Sequence, residues 1–271
     1  MNQLEKGRAF RALHERQRLF VIPNPWDGGT AKLLASMGFE ALTTTSAGIA
    51  FGLGRPDGAI SRDESLANAR LIVDSVDIPV AADLENGFGH RPEDAAETIR
   101  RAAEIGLVGG SIEDATGDPA HPIYDLALAV ERVAAAAEAA RGLDFPFTFV
   151  ARAENYLHGR ADLDDTLRRL QAYENAGADV LFAPGLPGLE AIRTTVQSLR
   201  RPLNVVRGGP GPSLDELEAA GVRRVSVGGA FSRLALTAVR NAAAELLSSG
   251  TFGFAEGLMS TAEAATIMAK R

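Results

Sequence analysis

The sequence contains no cysteine among its 271 residues, and it has only three tyrosines and one tryptophan. Without cysteine, disulfide bonds, thiolate metal ligands and cysteine nucleophiles are all excluded. No apolar run approaches the roughly 18 residues that a membrane-spanning helix needs, so we expect no membrane association. The N-terminal segment MNQLEKGRAFRALHERQ is charged throughout and reads as a helix, not as a secretory signal peptide. These features favour a cytoplasmic protein.

Positive charge is also scarce, because 28 lysines and arginines face 35 acidic residues and the net charge is −7. A nucleic-acid-binding protein needs a basic patch, so we expect no nucleic-acid partner. Hydrophobic residues make up 46% and charged residues 23% of the chain, which is ordinary for a globular protein. We treat residues 1–271 as one domain, in which residues 250–271 form a C-terminal tail that packs on another subunit.

Short β-rich runs alternate regularly with amphipathic stretches along the chain. The predicted strands are Leu19–Asn24, Ala41–Ser46, Pro79–Leu84, Val108–Ile112, Phe147–Arg152, Val180–Ala183, Leu203–Arg207 and Arg224–Val227. The predicted helices include an N-terminal helix, Arg91–Ile105, Asp125–Ala140, Leu163–Asn175, Leu189–Leu199, Ser213–Ala220, Phe231–Leu247 and a tail helix Thr261–Arg271. Strands that alternate with helices indicate βαβ units and a parallel sheet. Eight such units predict a (β/α)8 barrel of the TIM type with an extra helical tail.

Acidic residues collect where the predicted strands end. Asp83 and Glu85 follow the third strand, Glu113 follows the fourth, and Asp57 lies in the loop after the second. Active sites of (β/α)8 barrels are built at this end of the strands. Crowded carboxylates repel one another unless a cation joins them, and Mg²⁺ prefers such oxygen ligands. The pattern therefore predicts a Mg²⁺ site, although each acid taken alone is explained equally well as a helix cap or a solvated side chain.

Arg152 closes the apolar fifth strand and is the second candidate of interest. Its planar guanidinium could hold a substrate carboxylate at two points. A structural ion pair with Glu154 explains the same placement, and the residues alone leave both interpretations open. His121 and Tyr124, in the segment after the fourth strand, could donate a proton but could equally be ordinary loop residues.

Four separated motifs, in the same order along the chain, resemble the isocitrate lyase/phosphoenolpyruvate mutase superfamily. Asp83–Gly89 (DLENGFG) resembles its metal-binding motif, and Ser111–Asp114 (SIED) resembles the end of its fourth strand. Val150–Glu154 (VARAE) resembles its A-R-x-E segment, and Leu53–Asp57 (LGRPD) resembles its L-G-x-x-D loop. The resemblance extends roughly from Phe20 to Leu247 and implies the same barrel fold.

The resemblance also implies roles for the matching positions. Asp83 would ligate Mg²⁺ directly, while Asp57, Glu85 and Glu113 would hold its water ligands; Mn²⁺ would suit the same oxygens. The substrate would be a small 2-oxo acid, contacted by Ser46, Ala47, Gly48, Arg152 and Asn204. Asp83 and Arg152 would be the catalytic residues, which stabilise an enolate. Members of this superfamily form oligomers that often exchange a C-terminal helix, so we expect a homo-oligomer, either a dimer or a tetramer.

Two departures from the superfamily pattern bear on the reaction. Its C–C lyases carry a catalytic cysteine in the loop after the fourth strand, whereas the segment Ala115–Ile123 (ATGDPAHPI) has none. They also place a tyrosine just before the substrate-binding serine, where this chain has Thr43–Ser46 (TTTS). Cleavage of isocitrate-type acids is therefore disfavoured. The phosphonomutases use an asparagine in a longer loop, which is missing as well.

Three functions follow from these observations. The first is a Mg²⁺-dependent lyase that cleaves a C–C bond next to a 2-oxo acid, by decarboxylation or hydrolysis of an oxaloacetate-like acid. The second is phosphonomutase-like cleavage of a P–C bond, and the third is a non-catalytic barrel that binds a 2-oxo acid. The substrate's side chain and the proton donor stay undefined at this level.

Overall fold

The computed structural model, which describes residues 1–269, contains eight short strands that all run parallel to their neighbours. They are β1 (Phe20–Ile22), β2 (Leu42–Thr43), β3 (Val80–Asp83), β4 (Gly109–Glu113), β5 (Thr148–Arg152), β6 (Val180–Phe182), β7 (Leu203–Val206) and β8 (Arg224–Ser226). Their order in the sheet is β1-β8-β7-β6-β5-β4-β3-β2. The strands are buried on both faces, as parallel strands covered by helices must be.

The two end strands of this order meet and close the sheet into a barrel. The N–H of Thr43 in β2 donates to the carbonyl of Pro23, just after β1, at 3.1 Å. Asn24 strengthens the junction, because its Nδ2 donates to the carbonyl of Thr44 at 2.9 Å. Its Oδ1 accepts the N–H of Val227 beside β8 at 2.9 Å. The predicted TIM-type barrel is therefore confirmed.

Eleven α-helices lie within residues 1–269. They are α1 (Gln3–Glu15), α2 (Gly28–Ser36), α3 (Ser46–Gly52), α4 (Arg62–Ser75), α5 (Pro92–Glu104), α6 (Leu126–Arg141), α7 (Leu163–Ala176), α8 (Gly188–Gln197), α9 (Leu214–Ala219), α10 (Ala230–Ser249) and α11 (Thr261–Ala269). Several begin with a capping side chain; Ser61, for example, accepts the N–H of Glu64 at the start of α4. None of these helices is long and apolar enough to cross a membrane.

Helix α1 covers the N-terminal end of the barrel. Phe10 is fully buried and packs with Phe20 of β1 and Val108 before β4. The approach is close, since a Cβ added to Gly109 would lie 2.7 Å from the Phe10 ring. Because this end is filled, the C-terminal ends of the strands are the end that remains open for a site.

The second strand was predicted too long. The prediction ran to Ser46, but β2 ends at Thr43 and Ser46 begins helix α3. The cause is Thr45, whose hydroxyl accepts the N–H of Gly48 at 3.3 Å and so caps the helix. A seven-residue helix therefore occupies the mouth of the barrel where extended chain was expected.

The C-terminal tail follows α10 and ends in α11. Helix α11 packs on α2 of the same chain, and Lys32 Nζ donates to the carbonyl of Met268 at 2.6 Å. The predicted tail helix Thr261–Arg271 is found as Thr261–Ala269, and its last two residues lie outside the described part. Packing of residues 250–271 on another subunit stays a prediction.

Candidate active site

The four predicted metal-binding acids meet at the C-terminal mouth of the barrel. Asp83 ends β3, Glu113 ends β4, and Glu85 follows two residues after β3. Asp57 comes from the exposed loop between α3 and α4. Together with Arg152 at the end of β5, these side chains line two adjoining cavities, an outer one of about 1020 Å³ and an inner one of about 180 Å³. The structure therefore brings together residues that the sequence separates by almost a hundred positions.

Arg152 is the centre of this cluster. Its Nη1 contacts Asp83 Oδ1 at 2.8 Å, and its Nη2 contacts Glu113 Oε2 at 3.2 Å. Its Nε donates to Glu154 Oε1 at 2.9 Å, and the guanidinium lies 4.9 Å from the centre of the Phe182 ring. The ion pair of Arg152 with Glu154 is therefore present, and the contact of Arg152 with a substrate carboxylate stays a prediction.

Three carboxyl groups of this cluster have raised pKa values, mainly because they are buried. Burial, together with the charges of Asp83 and Asp57, raises the pKa of Glu85 to about 7. Burial also raises the pKa of Glu113 well above its ordinary value, although the charge of Arg152 opposes this shift. The pKa of Asp57 is raised by burial of its carboxyl and by Asp83. Burial lowers the pKa of Arg152, but the charges of Glu154, Glu113 and Asp83 outweigh it and raise this pKa overall.

The donor set at the mouth fits a hard divalent cation. Glu85 Oε1 is buried and has no hydrogen-bond partner, so a cation or its water ligands would satisfy an atom that is costly to leave unpaired. All the available donors are carboxylate oxygens, which Mg²⁺ prefers. Within residues 1–269, however, no three such side chains converge into a ready-made cage. A cation bound here would therefore be ligated directly by few of these carboxylates and held by the others through water.

The loop that carries Glu85 has an unusual backbone, held by several neighbouring side chains. Glu85 and Phe88 adopt positive φ angles of 47° and 57°, which residues other than glycine rarely adopt. Thr98 Oγ1 donates to the carbonyl of Gly87 at 2.7 Å, and Arg62 Nη2 reaches the same carbonyl at 3.1 Å. Arg132, which is almost completely buried, donates to the carbonyl of Asn86. These contacts fix the direction in which the Glu85 carboxylate points.

Ser46, Ala47 and Gly48 form the first turn of α3, beside Asp83. The N–H and the hydroxyl of Ser46 both donate to Asp83 Oδ2, at 3.2 and 2.9 Å. The N–H of Gly48 donates to Thr45 Oγ1. A substrate carboxylate bound at these amides would therefore compete with Asp83 and Thr45, and this predicted role stays untested.

Asn204 lies deeper in the barrel, on β7. Its Nδ2 donates to Ser226 Oγ at 3.1 Å, while its Oδ1 is buried without a partner. It lines the inner cavity together with Asp83, Arg152 and Arg224. Arg224 was not singled out from the sequence; it is the register partner of Asn204 in β8 and points to the same interior.

A second buried hydrogen-bond network, centred on Asp114, was not predicted from the sequence. Asp114, the last residue of the SIED motif, accepts the N–H of Glu154 at 2.8 Å and a bond from Arg169 Nη1 at 3.1 Å. The hydroxyl of Tyr173 donates to the same carboxylate. Asp114 thus fixes Glu154, which in turn holds Arg152. The three partners of the Asp114 carboxylate lie just after β5 and in α7, so they give no local sequence signal.

The segment 115–123, here called the gate loop, is closed by its own contacts. Ala115 and Ile123 form an isolated bridge, and Thr116 Oγ1 donates to the carbonyl of His121 at 2.6 Å. The side chain of His121 is 85% exposed and pairs weakly with Asp118. Tyr124 is buried, and its hydroxyl lies 2.7 Å from His90 Nδ1 at the outer cavity. Of the two proton-donor candidates, Tyr124 therefore lies closer to the site wall than His121, which faces solvent.

Several known proteins resemble this chain over most of its length. A crystal structure of a putative lyase/mutase from Burkholderia cenocepacia J2315 is 55% identical, with a TM-score of 0.97 over 99% of this chain and 97% of that one. The 2-methylisocitrate lyase of Escherichia coli K12 is 31% identical over 228 residues, which cover 80% of this chain and 76% of the enzyme.

Two solved structures with bound small molecules also match. Oxaloacetate acetylhydrolase in complex with 3,3-difluorooxalacetate is 26% identical, with a TM-score of 0.86 over 97% of this chain and 93% of that one. Phosphonopyruvate hydrolase in complex with oxalate and Mg²⁺ is 26% identical, with a TM-score of 0.87 over 98% of this chain and 95% of that one.

The family model described as phosphoenolpyruvate phosphomutase matches residues 10–247. This range contains all eight strands and every residue of the candidate site. The related proteins include lyases, hydrolases and mutases, so the match identifies the family and leaves the reaction open. The chain belongs to the phosphoenolpyruvate phosphomutase family, within the isocitrate lyase/phosphoenolpyruvate mutase superfamily.

Proposed function

We propose that the protein is a Mg²⁺-dependent lyase that cleaves a C–C bond next to the 2-oxo group of a small acid, by decarboxylation or hydrolysis of an oxaloacetate-like compound. The observation that carries this proposal is the contact between Arg152 and Asp83, 2.8 Å apart at the mouth of an inner cavity of about 180 Å³. Because the Arg152 guanidinium and the predicted metal-binding residue Asp83 lie side by side, both could act on the same 2-oxo acid group.

Each residue of the site has a defined task under this proposal. Arg152 donates to oxygen atoms on which negative charge develops as the bond breaks, and its own charge is fixed by Glu113 and Glu154. Asp83 would bind the cation, and Ser46 orients Asp83 through two hydrogen bonds. Asp57, Glu85 and Glu113 would hold the cation through its water ligands. When bound, Mg²⁺ supplies Lewis-acid chemistry that lowers the energy of the enolate.

The gate loop argues against the reaction of the lyases that use a cysteine. The loop of this chain is a short, internally bridged segment without cysteine, and no cysteine exists elsewhere to replace it. The similarity to 2-methylisocitrate lyase at 31% identity therefore supports the fold and the metal site more than the substrate. Decarboxylation of an oxaloacetate-like acid needs no cysteine, because the 2-oxo group accepts the electron pair of the bond that releases CO2 and a water molecule can protonate the resulting enolate.

The test is to follow a panel of acids by proton and phosphorus NMR, with Mg²⁺ and with EDTA. The panel contains oxaloacetate, methylisocitrate, a dimethylmalate, phosphonopyruvate and phosphoenolpyruvate. Loss of oxaloacetate that exceeds a metal-only control and stops with EDTA is the expected result. If no acid changes while pyruvate still binds in the presence of Mg²⁺, the protein is a binding barrel and the proposed reaction is wrong.

Phosphonate cleavage is the second candidate, and the likeness to phosphonopyruvate hydrolase favours it. The same carboxylates and Arg152 would hold the 2-oxo acid end of a phosphonate. Formation of inorganic phosphate from phosphonopyruvate in the same NMR panel would select this candidate over the first one.

A further inference from the structure

Arg224 is a buried cation that lacks a carboxylate partner among residues 1–269. It lies in β8, and only 4% of its surface is exposed. Its Nε and Nη1 atoms are buried and have no hydrogen-bond partner. Its guanidinium lies 6.0 Å from the centre of the Phe10 ring, which closes the barrel below it. Within the described part of the chain, every other fully buried arginine side chain is bonded to an oxygen, as Arg132 is.

Such a placement destabilises a ligand-free protein. Burial and the like charge of Arg152 lower the pKa of Arg224 to about 9, so the side chain still carries its charge at neutral pH. A buried charge without a partner costs more than a packed apolar side chain of the same size. No hydrogen bond or ion pair within residues 1–269 accounts for the buried Nε and Nη1 donors of Arg224. The unpaired donors point instead to a negatively charged ligand.

The inner cavity provides the space for that ligand. Arg224 lines it, together with its register partner Asn204, and Asp83 and Arg152 stand at the opposite, outer side. Its volume of about 180 Å³ equals that of roughly six water molecules, which suits a carboxylate on a short chain. One continuous space therefore connects the predicted metal-binding acid with an unpaired arginine.

Asn204 can take part in binding the same group. Its Oδ1 has no partner, and its Nδ2 donates to the hydroxyl of Ser226. Because a hydroxyl can donate as well as accept, turning the Asn204 amide by half a rotation keeps the bond to Ser226 and presents Nδ2 to the cavity. An arginine and an amide would then donate to one carboxylate from adjacent strands.

We propose that Arg224 and Asn204 form a subsite for the distal carboxylate of a four-carbon 2-oxo dicarboxylic acid. The inference rests on the proposed function, because it places the 2-oxo acid end of the same molecule at Asp83 and Arg152. It adds the residues that bind the distal carboxylate and so select a diacid over a monoacid of the same chain length.

The test measures binding by titration calorimetry in the presence of Mg²⁺, without requiring turnover. The probes are 3,3-difluorooxalacetate, which has the distal carboxylate, 2-oxobutyrate, which has the same chain length without it, and oxalate, which spans only the 2-oxo acid end. Arg224→Met should weaken binding of 3,3-difluorooxalacetate by at least about tenfold, as expected for losing a charged hydrogen bond. Binding of 2-oxobutyrate and oxalate should change by less than about threefold, a difference of well under 1 kcal/mol.

Arg223→Met is the matched control, because Arg223 is the preceding residue and its side chain faces away from the cavity, toward Gln17. It should leave the binding of all three probes unchanged. Arg224→Lys keeps the charge but not the forked geometry, and should give an intermediate affinity for the diacid. If Arg224→Met does not fold, Arg224→Lys and Asn204→Ala provide the same comparison.

A stability measurement separates this role from a structural one. Without ligand, Arg224→Met should melt at the same temperature as the native protein or higher, because it removes an unpaired buried charge. A variant that melts lower and binds the diacid normally would assign Arg224 to folding and overturn the proposal. Failure of the native protein to bind 3,3-difluorooxalacetate would overturn it too. If binding of 3,3-difluorooxalacetate depends on Arg224 but no acid is turned over, the proposed subsite is supported and the proposed reaction is wrong.

Discussion

Arg152 and Asp83, which are 69 positions apart in the chain, meet at 2.8 Å at the mouth of the barrel. The contact joins the ends of β5 and β3 and turns a cluster of acids into a mixed-charge site. Because the guanidinium also contacts Glu113 and Glu154, its position is determined from three directions. The family resemblance implies that Asp83 and Arg152 are the catalytic residues, and in the structure these two residues form an ion pair at the centre of the site.

Replacing Arg152 by lysine should abolish most of the activity. An ammonium group has no planar fork and cannot contact Asp83, Glu113 and Glu154 at the same time. We expect turnover to fall by about 100-fold or more, the usual cost of losing an oriented donor to developing charge. Steady-state kinetics on the acid identified by NMR gives the measurement. Arg168→Lys, on the exposed side of α7, is the control, and equal losses in both variants would contradict a specific role.

Mg²⁺ should stabilise the protein through the acids at the mouth. Like charges surround Glu85, whose Oε1 has no partner, so Glu85→Gln should raise the melting temperature in EDTA at pH 8. Mg²⁺ at one hundred times its dissociation constant should increase the free energy of unfolding of the native protein by about 2.7 kcal/mol. Glu85→Gln should make this increase smaller. Thermal melts with and without Mg²⁺ measure both effects. Equal stabilisation of the two proteins by Mg²⁺ would show that the ion does not bind at Glu85.

His14 should make the protein less stable as the pH falls. Burial, with a smaller contribution from Arg224, lowers the pKa of His14 to about 3, whereas the unfolded chain has the ordinary value of about 6.5. Below pH 6.5 the unfolded state takes up the proton first, so this residue's stabilising contribution is lost as the pH drops toward 3. The expected loss is about 2 kcal/mol between pH 7.5 and pH 5.

Urea titrations of the native protein and His14→Gln at several pH values isolate this contribution. The glutamine amide can still donate to the carbonyl of Phe10, which His14 Nδ1 contacts at 2.8 Å. The free energy of unfolding should fall more steeply toward acid pH in the native protein than in the variant. Parallel curves would show that His14 is protonated to the same extent in both states.

The exposed apolar side chains of α10 and the tail should form a contact between two copies of this chain. Helix α10 has 20 residues, of which only Ser232 is buried. Its exposed apolar side chains and those of the tail include Leu234, Leu236, Val239, Leu247, Phe252 and Leu258. Monomeric proteins rarely expose an apolar patch of this extent, and homodimers place self-complementary patches at a two-fold axis.

Light scattering coupled to size-exclusion chromatography tests this contact. The native protein should elute as a dimer or tetramer, and Val239→Glu should shift it toward the monomer. Leu71→Glu, at an equally exposed position on α4, should not. A native protein that is monomeric at micromolar concentration would contradict the predicted homo-oligomer.

The sequence predicted the barrel well because its signals are local. Periodic apolar runs, turn glycines and capping residues each lie within a few positions of the element that they define. The error at Ser46 arose because Thr45, two residues after the end of β2, caps a helix, and the residue pattern alone does not distinguish a helix cap from a continuing strand. Asp83, Glu113 and Arg152 were found because strand ends converge in this fold.

The missing site residues depend on contacts between distant parts of the chain. Arg224 points inward only because its register places it beside Asn204, and a sequence does not state strand register. The sequence signal was ambiguous, because Arg223 and Arg224 are adjacent at the start of the predicted strand and only strand register shows which of them faces inward. The role of Asp114 was not predicted because its partners, Tyr173 and Arg169, come from α7.

The most direct test of the central claim is the rate of oxaloacetate loss with Asp83→Asn, compared with the native protein at saturating Mg²⁺. Asp179→Asn serves as the control, because Asp179 is a partly buried aspartate at the opposite end of the barrel, bonded to the N–H of Phe149. We expect Asp83→Asn to reduce the rate to that of Mg²⁺ alone, and Asp179→Asn to retain the native rate. A folded Asp83→Asn protein with native turnover would contradict the proposed metal-dependent mechanism.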